Sequence, residues 1–298
     1  MKLNRNKAGE NIFDGINIIV MGLLALAAIY PFWYVLVVSF NQGNDTIRGG
    51  IYVWPRIFTL ENYQAVFTSG AILSSFRVTV ARTFLGTLIS VFFTAMVAYG
   101  LAKKELVFRK LYIVMGTITM FFGGGLIPTY ILIAKWLRLQ DNFLVYIIPT
   151  MFTFWNVVIF QGFFREIPES LEESAKIDGA NEFYIFYKII VPVAKPALAT
   201  MALFNGVAQW NAWFDSYLYT NSEKLQTLQL YLYKTITQFS DGGADAFRAS
   251  LGSRADASIT ALSVQCATII VAIAPIIFIY PFLQKYFTKG LIMGAVKG

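Results

Sequence analysis

Long apolar runs separated by short polar stretches fill this 298-residue chain. Six of them, at 16–40, 71–101, 111–134, 143–164, 196–219 and 258–284, exceed the about 20 residues a helix needs to cross a hydrocarbon core. They predict an all-α integral membrane protein with six transmembrane helices. No internal repeat, low-complexity tract or soluble linker divides the chain, so residues 1–298 are read as one membrane domain. Composition agrees, since 57% hydrophobic and 14% charged residues lie far from the roughly one-quarter charged content of soluble domains.

The segment 165–192 breaks the apolar pattern. Glu166, Glu169, Glu172 and Glu173 crowd a helix start, where the positive end of the dipole favours carboxylates, and Pro168 brings the preset φ of a first turn. Glu172 and Lys176 stand four apart in the stabilising order. Ile167, Leu171 and Ala175 recur at helical spacing, and Asp178-Gly179 reads as a C-terminal stop with a left-handed glycine. The prediction is helix, elbow, second helix. An ordinary amphipathic helix at a membrane surface shares many of these features.

Charge sets an expected orientation. The segments 1–15, 102–110, 165–195 and 285–298 hold 14 of the 24 Lys and Arg, against 8 in the three opposite loops. By the positive-inside rule, both termini and the elbow are expected in the cytoplasm. The basic MKLNRNK start precedes an apolar run without a small-residue cleavage pattern, which reads as an uncleaved first span. Outside, residues 41–70 carry turn signals and the aromatics Tyr52, Trp54 and Tyr63, placed like interface anchors. The outer loop 220–257 combines a candidate helix, 224–239, with the glycine-rich DGGADAFRASLGSRADAS.

Polar groups inside a bilayer are expensive and normally face a cavity or other protein. In the fifth span, Asn205, Gln209, Trp210, Asn211 and Trp213 offer amides for hydroxyls and indole faces for sugar rings. Interhelical hydrogen bonds with an aromatic belt explain the same residues. Arg82 lies deep in the second span and requires a partner, either Asp215 or backbone carbonyls, or else an anionic substrate in a watery path. In the third span, Gly123, Gly124, Gly125 and Pro128 disfavour a continuous helix. Close helix packing and a break lining a path both remain open there.

Several motifs resemble a known family. Glu173-Ser174-Ala175, then Asp178-Gly179-Ala180, then Ile189 and Pro192 look like the EAA loop of ABC-importer membrane subunits, with Ser174 and Val191 as the departures. PTYILI, FREIPESLEESAKIDGA and the ending YPFLQKYFTKGLIMGAVKG resemble the polysaccharide or complex-carbohydrate branch of the carbohydrate-type permeases. That group includes the smaller membrane subunit of the maltose transporter. The resemblance implies a type I ABC importer permease fold in a bacterial cell membrane. It also implies ATPase coupling through Glu172, Glu173, Ser174, Ala175, Asp178 and Gly179, and an oligosaccharide substrate path through the fifth-span residues above and Arg82. The implied partners are a second homologous permease, a cytoplasmic ABC ATPase dimer that binds ATP and Mg, an extracytoplasmic solute-binding protein and membrane lipid. No nucleic acid is among them.

Absences narrow the alternatives. There is no G-x-x-x-x-G-K-S/T sequence, so ATP is not expected to bind here as in a P-loop protein. No histidine and a single cysteine, Cys266, leave no expected metal site, cofactor or catalytic nucleophile pair. An ion-coupled carrier would place carboxylates near mid-membrane; Asp215 alone is a candidate, and it lies near the end of its span. A permease for a non-sugar solute is the other competing expectation.

Overall fold

The computed structural model describes residues 7–68, 70–240 and 259–295. The glycine-rich stretch 241–258, the first six residues and residues 296–298 of the terminal motif lie outside the described part. The chain divides into two units, 1–69 with 234–272, and 70–233 with 273–298.

In the first unit, the helix Lys7–Ser39 exposes its apolar side chains from Ile12 to Trp33. Such exposure of an apolar helix is what a lipid-facing span requires. Its end is fastened to the following loop. The Asn62 Nδ2 amide donates to the Ser39 and Asn41 carbonyls, and the Asn41 amide donates to Asp45 and Thr46. Trp54 and Tyr52 are exposed as anchors would be. Tyr63 is not: it packs on the Phe40 ring and shares a hydrogen bond with Ser39 Oγ.

In the second unit, the 32-residue helix Ala71–Ala102 is the central element. It buries Ser75, Thr79, Ser90, Thr94, Ala95 and Ala98 against neighbours, because small side chains let helices approach in the absence of a hydrophobic drive. The helices Phe154–Phe164 and Lys195–Asn211 pack along it, sharing a core that includes Phe160, Val157 and Met201.

Among the described residues, three helical stretches, Asn11–Ser39, Ala71–Ala102 and Ala261–Ile279, are long and apolar enough to cross a membrane as single helices. The other predicted spans are interrupted. The third is two helices, Arg109–Phe121 and Leu126–Trp136, meeting at 112°. Gly125 sits at the hinge with φ 81° and ψ 173°, a conformation essentially reserved for glycine. A Cβ on Gly123 or Gly125 would meet nothing within 4 Å, so these glycines serve the turn rather than close packing. The tight approach is instead at Gly116, where an added Cβ would fall 2.1 Å from Phe154.

The predicted continuous helices at 143–164 and 196–219 are corrected by the structure. The first is a short 3-10 turn, Phe143–Tyr146, an irregular stretch about Pro149, and the helix Phe154–Phe164. Proline has no N–H with which to continue a helix. The second stops at Asn211, passes through an extended Ala212, and resumes as Phe214–Tyr219. The candidate helix at 224–239 forms as Leu228–Ser240, after a 3-10 turn at Glu223–Leu225.

Candidate functional site

The elbow forms as the sequence predicts, with detail that spacing alone did not supply. Pro168 stands just before the helix Glu169–Ile177, at φ −60° and ψ 128°, one place earlier than a first-turn residue. Gly179 closes the helix at φ 80°. The Ala180 N–H donates to the Ala175 carbonyl at 2.9 Å and the Gly179 N–H to Lys176 at 3.0 Å, which together make a Schellman stop. Asn181 then caps the next helix by accepting from the Tyr184 N–H at 2.8 Å. With the Asp178 N–H donating to Ser174, the Ser174, Ala175 and Lys176 carbonyls are all paired at the turn.

The six expected coupling residues divide by face. Ala175 is buried in the core with Ile185, Phe186 and Ile190, and Glu172 is three-quarters buried and ion-paired to Lys103. Glu173, Ser174, Asp178 and Gly179 are exposed, joined by the apolar side chains Ile177 and Phe183 at 86% and 76% exposure. Those two apolar groups are exposed on an otherwise polar elbow.

Behind that surface lies an ion network that the sequence reading missed. Lys103 pairs with Glu172 and, at 3.0 Å, with Glu182, while its ammonium sits 4.1 Å above the Tyr99 ring. Tyr99 donates its hydroxyl to Glu182 at 3.1 Å, and Lys176 reaches Glu182 at 2.9 Å. Partial burial pushes the Glu182 carboxyl upward, but hydrogen bonds from Lys176, Lys103 and Tyr99 outweigh it and hold the group down at about 2. Lys104 pairs with Glu169 at 2.6 Å on the open surface. Glu172 and Lys176 were legible as charges four apart, but in the structure they pair with Lys103 and Glu182 respectively, partners that spacing does not reveal.

Farther along the same helix, well inside it, Arg82 is completely buried. Its five N–H groups all have acceptors. Nε and Nη2 donate to Gln209 Oε1 at 3.2 and 3.0 Å, Nη1 to the Ala212 carbonyl at 3.2 Å and to Asp215 at 3.1 Å, and Nη2 to Asp215 at 2.6 Å. The guanidinium also lies 4.4 Å above the Tyr146 ring. The extended kink at Ala212 explains the fit, since leaving the helix frees its carbonyl for Arg82. Gln209 uses its other end to donate to Thr150 at 2.7 Å, and its amide fills the space over Gly86, where a Cβ would fall 2.8 Å away. Tyr146 donates to the Leu225 carbonyl at 2.6 Å and contacts Ser216 at 2.9 Å.

The remaining fifth-span residues separate. Asn205 accepts from Asn156 at 3.2 Å and from Ser90 at 3.4 Å, so it holds three helices together. Trp210 is buried edge-on to Phe76. Asn211 is exposed at the helix end, and Trp213 stacks on Tyr233 with centroids 4.2 Å apart. The structure thus unites Arg82 and Gln209 in one cluster and leaves Asn211 and Trp213 outside it.

The sequence profile described as "Binding-protein-dependent transport system inner membrane component" matches residues 1–293, and the chain belongs to that family. It is 37% identical over 297 residues to Protein LplC of Bacillus subtilis, covering 99% of this chain and 98% of that one. It is 36% identical to the polygalacturonan/rhamnogalacturonan transport system permease protein YtcP of the same organism, over 97% and 99% of the two chains. A solved bacterial ABC transporter involved in the import of the acidic polysaccharide alginate superposes with a TM-score of 0.87 at 31% identity, covering 96% of this chain and 99% of that one. The chain is a multi-pass membrane subunit of the importer class.

Proposed function

We propose that this chain forms half of the translocation path of an ATP-driven importer for oligo- or polysaccharides, acidic ones among them. It would reside in a bacterial cytoplasmic membrane with both termini and the elbow on the cytoplasmic side. The observation that carries the coupling role is the elbow itself, an ordered Schellman turn presenting Glu173, Ser174, Asp178, Gly179, Ile177 and Phe183 to solvent. Its partner in this reading is a cytoplasmic ATPase pair that binds ATP and Mg. A second, homologous permease completes the path, and an extracytoplasmic binding protein delivers solute. Names of relatives that move polygalacturonan and alginate support a glycan substrate carrying uronate groups.

From the buried cluster we infer a narrower set of path residues. Arg82 and Gln209 spend their polar groups on each other, on Asp215 and on backbone, so we assign them to holding the kinked fifth span. Asn211 and Trp213 keep exposed surface and remain path candidates. Asp215, the carboxylate an ion-coupled carrier would use, is already engaged by a guanidinium.

Reconstituted with its ATPase pair, second permease and binding protein, the complex should lose uptake of oligogalacturonate on Gly179→Trp or Glu173→Lys while remaining assembled. Full uptake and normal substrate-stimulated ATP hydrolysis in both variants would overturn the coupling role. Uptake of a non-glycan solute instead would overturn the substrate class alone.

A further inference from the structure

Lys103 occupies an unusual position for a membrane-edge lysine. It ends the helix Ala71–Ala102, yet its side chain is only 17% exposed and grips both arms of the elbow: Glu172 on the first helix, and Glu182 on the second at 3.0 Å. Residues 172 and 182 lie 69 and 79 positions away in sequence. Lys176 closes the two arms on each other through Glu182. Beneath the charges, Tyr99 and Phe92 contact Phe186 at 5.3 and 5.9 Å between ring centroids. The elbow is therefore bound to this helix by charge above and by rings below.

Arg82, eleven residues in from the start of that helix, donates to the Ala212 carbonyl at the kink. From Arg82 to Ala102 is 20 residues of unbroken helix, about 30 Å at 1.5 Å per residue. A rigid element of that length, gripped at Arg82 and again where the helix ends at Lys103, carries displacement without dissipating it in side-chain slack.

Resting on the coupling role proposed above, we propose that Lys103 is the positioning residue that makes the elbow and the Ala71–Ala102 helix move as one body. Work delivered at the elbow then reaches the kinked fifth span through Lys103. Lys104 is not part of this: its pair with Glu169 is about 70% exposed on both sides, and exposed pairs contribute little.

Two measurements on the full reconstituted complex, the import ratio and a spin-label separation, test the proposal. Lys103→Met should lower oligogalacturonate imported per ATP hydrolysed by about tenfold, the scale of a modest coupling free energy. Lys103→Arg should restore it, since a guanidinium also reaches two carboxylates. Lys104→Met should stay within about twofold of the parent, as befits a surface pair. Spin labels at positions 177 and 88, in a Cys266→Ala background, should keep one separation with and without ATP and vanadate, and should broaden and shift with nucleotide in Lys103→Met. If Lys103→Met fails to accumulate, Glu182→Gln removes one arm of the grip and should show the same label broadening. A parent whose label separation already changes with nucleotide would overturn the proposal. So would an unchanged import ratio in Lys103→Met alongside inactive Gly179→Trp, a pattern that leaves the coupling role intact. A fully active Gly179→Trp would remove the coupling role instead.

Discussion

Replacing Arg82 with glutamine gives the sharpest measure of what the buried cluster does. The change removes a guanidinium whose five N–H groups are all used, and strands three acceptors: Gln209 Oε1 in a residue 6% exposed, the Ala212 carbonyl, and an Asp215 carboxylate 21% exposed. Breaking a fully buried ion pair by deleting one partner costs about 3–5 kcal/mol. Asp215 keeps some access to water and glutamine returns a hydrogen bond or two, so a loss of about 2–3 kcal/mol is expected. The second change that should rescue it is Asp215→Asn. With both charges gone, no uncompensated carboxylate remains, and the double variant should recover at least about half of the loss. Thermal unfolding of the detergent-solubilised complex, read by the fraction surviving size-exclusion chromatography, gives the stabilities. Uptake of oligogalacturonate and of a neutral arabino-oligosaccharide gives function, and both should fall together. A variant as stable as the parent that loses only uronate uptake would refute the structural assignment and put Arg82 in the path.

Gly179→Trp and Glu173→Lys should abolish uptake by the assembled complex, as measured in the reconstituted importer. Lys103→Met should separate import from ATP hydrolysis where Lys104→Met does not. Gly116→Ala places a methyl group 2.1 Å from Phe154, which should cost about 1–3 kcal/mol in the same unfolding assay; an unchanged midpoint would mean that the two helices separate easily. Acid should loosen the elbow in a defined window. The Glu182 carboxyl is depressed from 4.5 to about 2, so its contribution is complete above pH 4.5 and is lost as pH falls toward that depressed value. Amide exchange at 178–184 should rise on acidification through that range and become less pH-dependent in Glu182→Gln; an acid response identical in the variant would assign the effect to other groups.

Elements specified by neighbouring residues were legible in the sequence. The elbow rests on Pro168, Asp178-Gly179 and the helical spacing between them, all local signals with local geometric consequences. The interruption of the third span followed from adjacent glycines and Pro128 for the same reason. The break at Ala212 was not legible, because NAWFD contains neither glycine nor proline and the kink is stabilised by a guanidinium from a helix 130 residues away. Trp210 and Trp213 read alike in sequence yet diverge, one buried against Phe76 and the other stacked on Tyr233.

Composition and local periodicity determined that this chain enters a membrane as helices and presents a charged elbow outside it, since hydrocarbon burial and turn chemistry act on residues near one another in sequence. Which polar groups serve the bundle and which remain free was decided only by tertiary structure. Arg82, whose partner the sequence left open, has its N–H groups engaged by Gln209, Ala212 and Asp215, and Lys103, an ordinary flanking charge in sequence, contacts both arms of the elbow. A buried donor is satisfied by whatever acceptor the fold brings within 3 Å or so, and periodicity carries no record of which distant carbonyl or carboxylate that will be.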